Sequence, residues 1–153
     1  MSELIRGALA PLFDRLSSAE AGVKSEQLLT PDQLESSIAQ DLSRLLNTRS
    51  SLVCTEFVAH TGTTLDYGMP DISALSSKSQ TDLNFLQLVV THAITCFEPR
   101  LKQIEVKAFA SQKFAGGVVL IISGVVSIGL MLRQLNFELQ LDQRQATSRV
   151  GAA

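Results

Sequence analysis

Apolar residues recur at helical spacing in three stretches of the chain and alternate with polar ones in two more, and the period changes at Pro99. Residues 2–16 carry Ile5, Leu9, Leu12, Phe13 and Leu16 on one helical stripe. Pro11 inside it either kinks that helix or delays its start. Residues 17–29 are small and polar and form a linker. Thr30-Pro31-Asp32-Gln33 predicts a helix start, with Thr30 as cap, Pro31 at the first position and Gln33 closing a capping box. Leu34, Ile38, Leu42, Leu45 and Leu46 then follow on one face, with Asp41, Arg44 and Arg49 off it on a solvated side. Residues 47–78 show no sustained period and are expected to be mostly irregular. Over 79–97, Leu83, Leu86, Val90, Ile94 and Phe97, broadened by Phe85, Val89 and Ala93, predict a central helix. A face this wide is buried against a sheet.

Beyond Pro99 the period is two. Ile104, Val106 and Ala108 oppose Glu105 and Lys107 over 103–110, and Leu135, Phe137, Leu139 and Leu141 oppose Asn136, Glu138, Gln140 and Asp142. Between them Ala115 to Leu132 carries no charge and is long enough to span a bilayer. However, Gly116, Gly117, Gly124 and Gly129 break it, and its β-branched runs fit a buried strand and a turn. The expected fold is a mixed α/β (α+β) class: helices near 2–16, 31–47 and 79–97 packed on a small three-stranded antiparallel sheet from 102–142. The expected division is an N-terminal helix and linker (1–30), one domain (31–142) and a flexible C-terminal tail (143–153).

One hundred and fifty-three residues with 45% apolar composition bury a real core, and a formal charge of −2 gives no reason to expect nucleic acid. Two cysteines, Cys54 and Cys96, form no CxxC pair and point to a reduced cytosol. The N-terminus lacks a basic region followed by an unbroken apolar one, so no secretory signal is expected.

Chemistry is sparse. His92 and Cys96, four apart on the central helix, are two ligands and not a zinc site, and no third group marks them as a nucleophile pair. Phosphate-binding glycine patterns are missing. A glycosidase needs two carboxylates; Glu98 with Asp66 or Asp71 are the candidates. Arg100 is the wrong neighbour for a general acid, and a chain with no tryptophan and one tyrosine is poorly supplied for stacking sugars. No catalytic residue, metal or cofactor is therefore predicted. The corner Phe97-Glu98-Pro99-Arg100-Leu101 is either an elbow with a surface ion pair or a docking element, with Phe97 in the core and Glu98 and Arg100 near the surface. Asp66-Tyr67-Gly68-Met69-Pro70-Asp71 is either an ordered loop or a recognition loop.

Ser37-Ile38, Asp41-Leu42, Leu45-Leu46-Asn47-Thr48-Arg49, Asp66 to Asp71, Ile94, Phe97 to Leu101 and Ile104-Glu105-Val106 together resemble the phage-tail baseplate wedge family, most closely its type VI secretion branch. The likeness covers roughly 31–142. It implies a structural subunit, despite the family's "lysozyme-like" label. That subunit lies in a cytoplasmic baseplate at the inner face of the inner membrane. The implied partners are the wedge proteins TssF and TssG, TssK, and the sheath proteins TssB and TssC, for which it is an assembly platform. It implies no small-molecule substrate and no insertion into the membrane. The family's Glu-Pro-Arg motif falls on Glu98, Pro99 and Arg100, which, with Asp66, Tyr67, Gly68 and Pro70, are the expected partner-binding residues. An anti-adaptor that binds a response regulator and blocks sigma-factor proteolysis shares the Glu-Pro-Arg corner and is the alternative; a peptidoglycan hydrolase is a further one.

Overall fold

The computed structural model describes residues 8–9, 28–112, 117–141 and 149–152. The elements run β1 (Ala8–Leu9), β2 (Leu28–Leu29), α1 (Pro31–Asn47), α2 (Cys54–Ala59), a 3-10 turn (Thr64–Asp66), α3 (Gln80–Phe97), β3 (Leu101–Ala110), β4 (Val118–Ile128), β5 (Met131–Leu141) and β6 (Arg149–Ala152). β1 and β2 form a small antiparallel pair, and β3 to β6 form an antiparallel sheet in chain order.

α1 begins as its sequence dictates. The Thr30 hydroxyl accepts from the Gln33 N–H at 3.3 Å, and Gln33 Oε1 accepts from the Thr30 N–H at 2.9 Å. α3 is capped by Ser79, whose hydroxyl accepts from the Asp82 N–H, and ends at Phe97, with Glu98, the residue before proline, as its C-cap. Leu34, Ile38, Leu42, Leu45 and Leu46 of α1 and Leu83, Leu86, Val89, Val90, Ala93 and Ile94 of α3 are buried in one cluster with the alternate residues of β3, β4 and β5. The helices therefore cover one face of the sheet. The uncharged run 115–132 becomes β4, a two-residue turn and the start of β5. No helix among the described residues is long and apolar enough to cross a membrane. Gly129 takes φ 61° at the first of the two turn residues, where a tight hairpin needs glycine.

β3 carries a bulge between Lys102 and Glu105, with Gln103 at φ 51°. It brings Leu101, 2% exposed, over Gly124, where an added Cβ would lie 2.5 Å from Leu101 Cγ.

Four elements differ from the sequence expectation. Ala8–Leu9, inside the expected helix at 2–16, are extended and paired with Leu28–Leu29, because backbone pairing there prevails over the helical stripe; the rest of 2–16 lies outside the described residues. Leu28–Leu29 correspondingly close the expected linker. A six-residue helix, α2, falls in the stretch expected to be irregular; it is too short to display a period, and it anchors itself by burying Phe57. Arg149–Ala152, expected in a flexible tail, pair with 137–140 as a fourth strand, since the β5 edge offers unpaired backbone groups.

Candidate functional site

Pro99 stops α3, and the chain turns at once into β3, with the Leu101 N–H donating to the Glu98 carbonyl at 3.2 Å. That tight corner places Glu98 and Arg100 side by side. Arg100 Nε donates to Glu98 Oε1 at 2.7 Å and Nη2 to Glu98 Oε2 at 2.7 Å, a two-pronged fork on one carboxylate. The same guanidinium reaches α1: Nη2 donates to Asp41 Oδ2 at 2.6 Å and Nη1 to the Ser37 hydroxyl at 3.2 Å. Asp41 also accepts from Arg44 Nη1 at 2.9 Å.

Glu98 is 3% exposed, which corrects the expectation that it stays near the surface. Phe97 is half-buried at the edge of the core, and Pro99 alone of the motif is exposed. The cause of Glu98 burial is the fork itself: a carboxylate leaves water only when its oxygens are bonded and its charge is matched. Burial alone would lower the Arg100 pKa, but the Glu98 bond and charge, with Asp41, raise it above its ordinary value, so the cation is permanent. Asp41, expected on a solvated helix face, is a half-buried partner of the clamp.

The second motif stretch packs beside the first. Gly68 takes φ 120°, and any Cβ there would lie 2.6 Å from the Thr48 carbonyl oxygen. The close approach allows the Met69 N–H to donate to Thr48 at 2.8 Å and the Ser50 N–H to donate to Met69 at 2.9 Å, a parallel bridge between the end of α1 and the loop. Asp66 caps the 3-10 turn by accepting from the Thr63 hydroxyl at 2.6 Å and its N–H at 2.9 Å, the side-chain bond being the chief cause of its lowered pKa. Tyr67 stands edge-on to Phe97 with ring centroids 5.3 Å apart. Its phenol pKa is raised by burial and then by the Asp41 carboxylate, so the ring lies beside the clamp. Asp71 accepts from Arg49 Nη1 at 3.3 Å.

The structure thus gathers Glu98, Pro99, Arg100, Tyr67 and the end of α1 into one region. Of the residues expected to bind partners, Asp66, Gly68 and Pro70 are buried, Tyr67 and Arg100 half-buried and Pro99 exposed. Ser37 and Asp41 are the clamp residues that sequence reasoning did not count among the partner-binding ones; their signals were their place in the motifs that carry the family resemblance and a spacing of four on α1.

His92 Nε2 lies 2.9 Å from the His60 carbonyl and 3.6 Å from Cys96 Sγ. A carbonyl only accepts, so that nitrogen carries the proton and is not a base for the thiol. Burial raises the Cys96 pKa, further from a nucleophile. No group of three metal-ligating side chains occurs among the described residues.

Over residues 32–128 the chain matches the family described as baseplate wedge protein gp25. It is also similar in fold to a solved chain of "The baseplate complex from the type VI secretion system", at 18% identity and a TM-score of 0.52, covering 72% of this chain and 96% of that one. No curated protein matches it.

Proposed function

The chain belongs to the baseplate wedge protein gp25 family, and from that premise we propose that it is the TssE-type baseplate subunit of a type VI secretion system. Its role is structural: it joins the wedge proteins TssF and TssG, with TssK, and offers TssB and TssC a platform on which the sheath starts, inside the cell at the inner membrane. The observation that carries this reading is the family match over 32–128, a span that contains the whole Arg100 clamp and the loop braced against it. Likeness of fold to a chain of a type VI baseplate complex supports the choice of machine. An interlocked corner suits a scaffold, because a rigid surface loses little entropy when it docks. The sheet also keeps the free outer edge of β3 among the described residues, and an open edge invites strand addition by a partner.

Two features support reading the role as non-catalytic. Arg100 occupies both oxygens of Glu98. A groove of about 640 Å³ between α3 and β3 is lined by Ser77, Lys78, Gln80, Leu83, Gln87 and 107–110, without a carboxylate. That lining lacks the acid and base that glycoside hydrolysis needs.

Affinity capture of the full chain from its native host, read by mass spectrometry, tests the proposal. Wedge and sheath proteins are the expected catch. A response regulator in their place would overturn the baseplate role in favour of the anti-adaptor. Clearing of a peptidoglycan suspension that Glu98→Gln abolishes would overturn the non-catalytic reading.

A further inference from the structure

We propose that the tip of the β4–β5 hairpin, Leu130-Met131-Leu132, is a docking knob that seats in an apolar cleft of a protein partner whose rim is basic. The inference goes beyond the baseplate role and does not depend on it. These three residues are 104%, 72% and 76% exposed. Single exposed apolar residues are ordinary, but three large ones in sequence at a protruding turn are a marker of a contact site.

Register gives the knob its shape. Met131 pairs with Ile128, so it points to the face that the helices cover; Leu132 pairs with Ser127 and points to the other face; Leu130 is at the apex. The ribbon is apolar on both sides, which suits insertion between two walls and not contact with one flat surface. The knob also lies beyond the helix layer. α1 reaches from Arg133 of β5, through Asp32 and Glu35, to Arg100 at the start of β3, through Ser37 and Asp41. Leu101, Val126 and Arg133 lie in one row of the sheet, and the turn continues past that row.

Charge selects the occupant. Asp32 and Glu35 share Arg133, with N–O distances of 3.3 and 3.5 Å, leaving one excess negative charge at the base of the tip. Asp32 is 90% exposed in its side chain. The nearest unmatched lysine along the register, Lys102, is opposite Val125, on the outer face further back. An apolar tip that enters an anionic bilayer carries a basic collar. This tip carries an acidic one, which a bilayer repels and a basic protein rim attracts.

The test installs the photo-cross-linker benzoylphenylalanine at position 130 of the full chain in its native host, with mass spectrometry of the product. The expected product is a protein cross-linked within an apolar segment flanked by Lys or Arg. Purified, that protein should bind the Leu130→Ser/Leu132→Ser variant at least about thirtyfold more weakly, as for a central interface anchor, at unchanged melting temperature. Asp32→Lys should also weaken binding, and a Lys or Arg→Glu change in the cross-linked rim should restore it. Four results would overturn the proposal: no cross-linked protein, a cross-link to a second copy of this chain, unchanged binding by the serine variant, or flotation with phosphatidylglycerol vesicles that the serine variant loses. The baseplate role is read separately: a cross-linked protein that is neither wedge nor sheath, with no such protein in the affinity capture, sinks that role and leaves the knob standing.

Discussion

Removing the Arg100 guanidinium leaves the Glu98 carboxylate buried without its counter-charge. Breaking a fully buried pair in this way costs about 3–5 kcal/mol. Arg100 is 24% and Asp41 31% exposed in their side chains, so water recovers part of that, and about 2–4 kcal/mol is expected for Arg100→Ala. Denaturant unfolding checks it, and Arg100→Ala/Glu98→Gln should recover part of the loss, because the neutral amide no longer strands a charge. A surface ion pair would give less than about 1 kcal/mol and no rescue. The size of the effect decides how the corner can be probed. Loss of partners from affinity capture of Arg100→Ala would report a weakened fold first. Pro99, exposed and outside the fork, is the position of the motif that tests docking with the least disturbance to the clamp.

At the level of elements, the strongest periods were legible. α1 with its Thr30–Gln33 box, α3 and the three long strands occur where the sequence puts them, since each has an apolar stripe and a local start or stop signal. What was not legible depends on residues distant in sequence. Glu98 is buried because Arg100 ties it to α1 across 59 residues, and no local pattern carries that bond. β6 exists because β5 has an edge, and α2 because Phe57 finds the core. Gly124 belongs to the same class: in the sequence it breaks an apolar run, whereas in the fold it makes room for Leu101. Gly124→Ala should relieve about 0.5–1 kcal/mol of backbone entropy cost and incur about 1–3 kcal/mol of overpacking. Overpacking wins, because Leu101 is held in the core and cannot step aside. Thermal melting should show net destabilisation, and Leu101→Ala in the same chain should cost less than the sum of the two changes. A Gly124→Ala protein that melts higher than the parent would refute the close approach.

On the scale of the whole molecule the sheet has two edges of different character. The β3 edge is bare among the described residues, while the β5 edge is covered over Phe137–Gln140 by β6. A bared edge is a template for another chain. A chain ended after Leu141 should therefore keep the apolar cluster of the described residues, which runs from Leu34 to Leu141, yet gain a tendency to associate. Light scattering on a size-exclusion column should show concentration-dependent association of the shortened chain, with far-ultraviolet circular dichroism nearly unchanged. A substitution of Lys for Leu139 would unfold the protein, so the matching control is Glu138→Pro in the shortened chain. Glu138 is exposed, and proline cannot complete a ladder at an edge. Association that the proline suppresses assigns the contact to β5. Association that persists shows that the uncovered β5 edge is not the contact, because the β3 edge is as bare in the intact chain as in the shortened one. A shortened chain that remains monomeric at all concentrations would mean that β6 guards nothing, and that partners meet this protein through side chains at the corner and the hairpin tip.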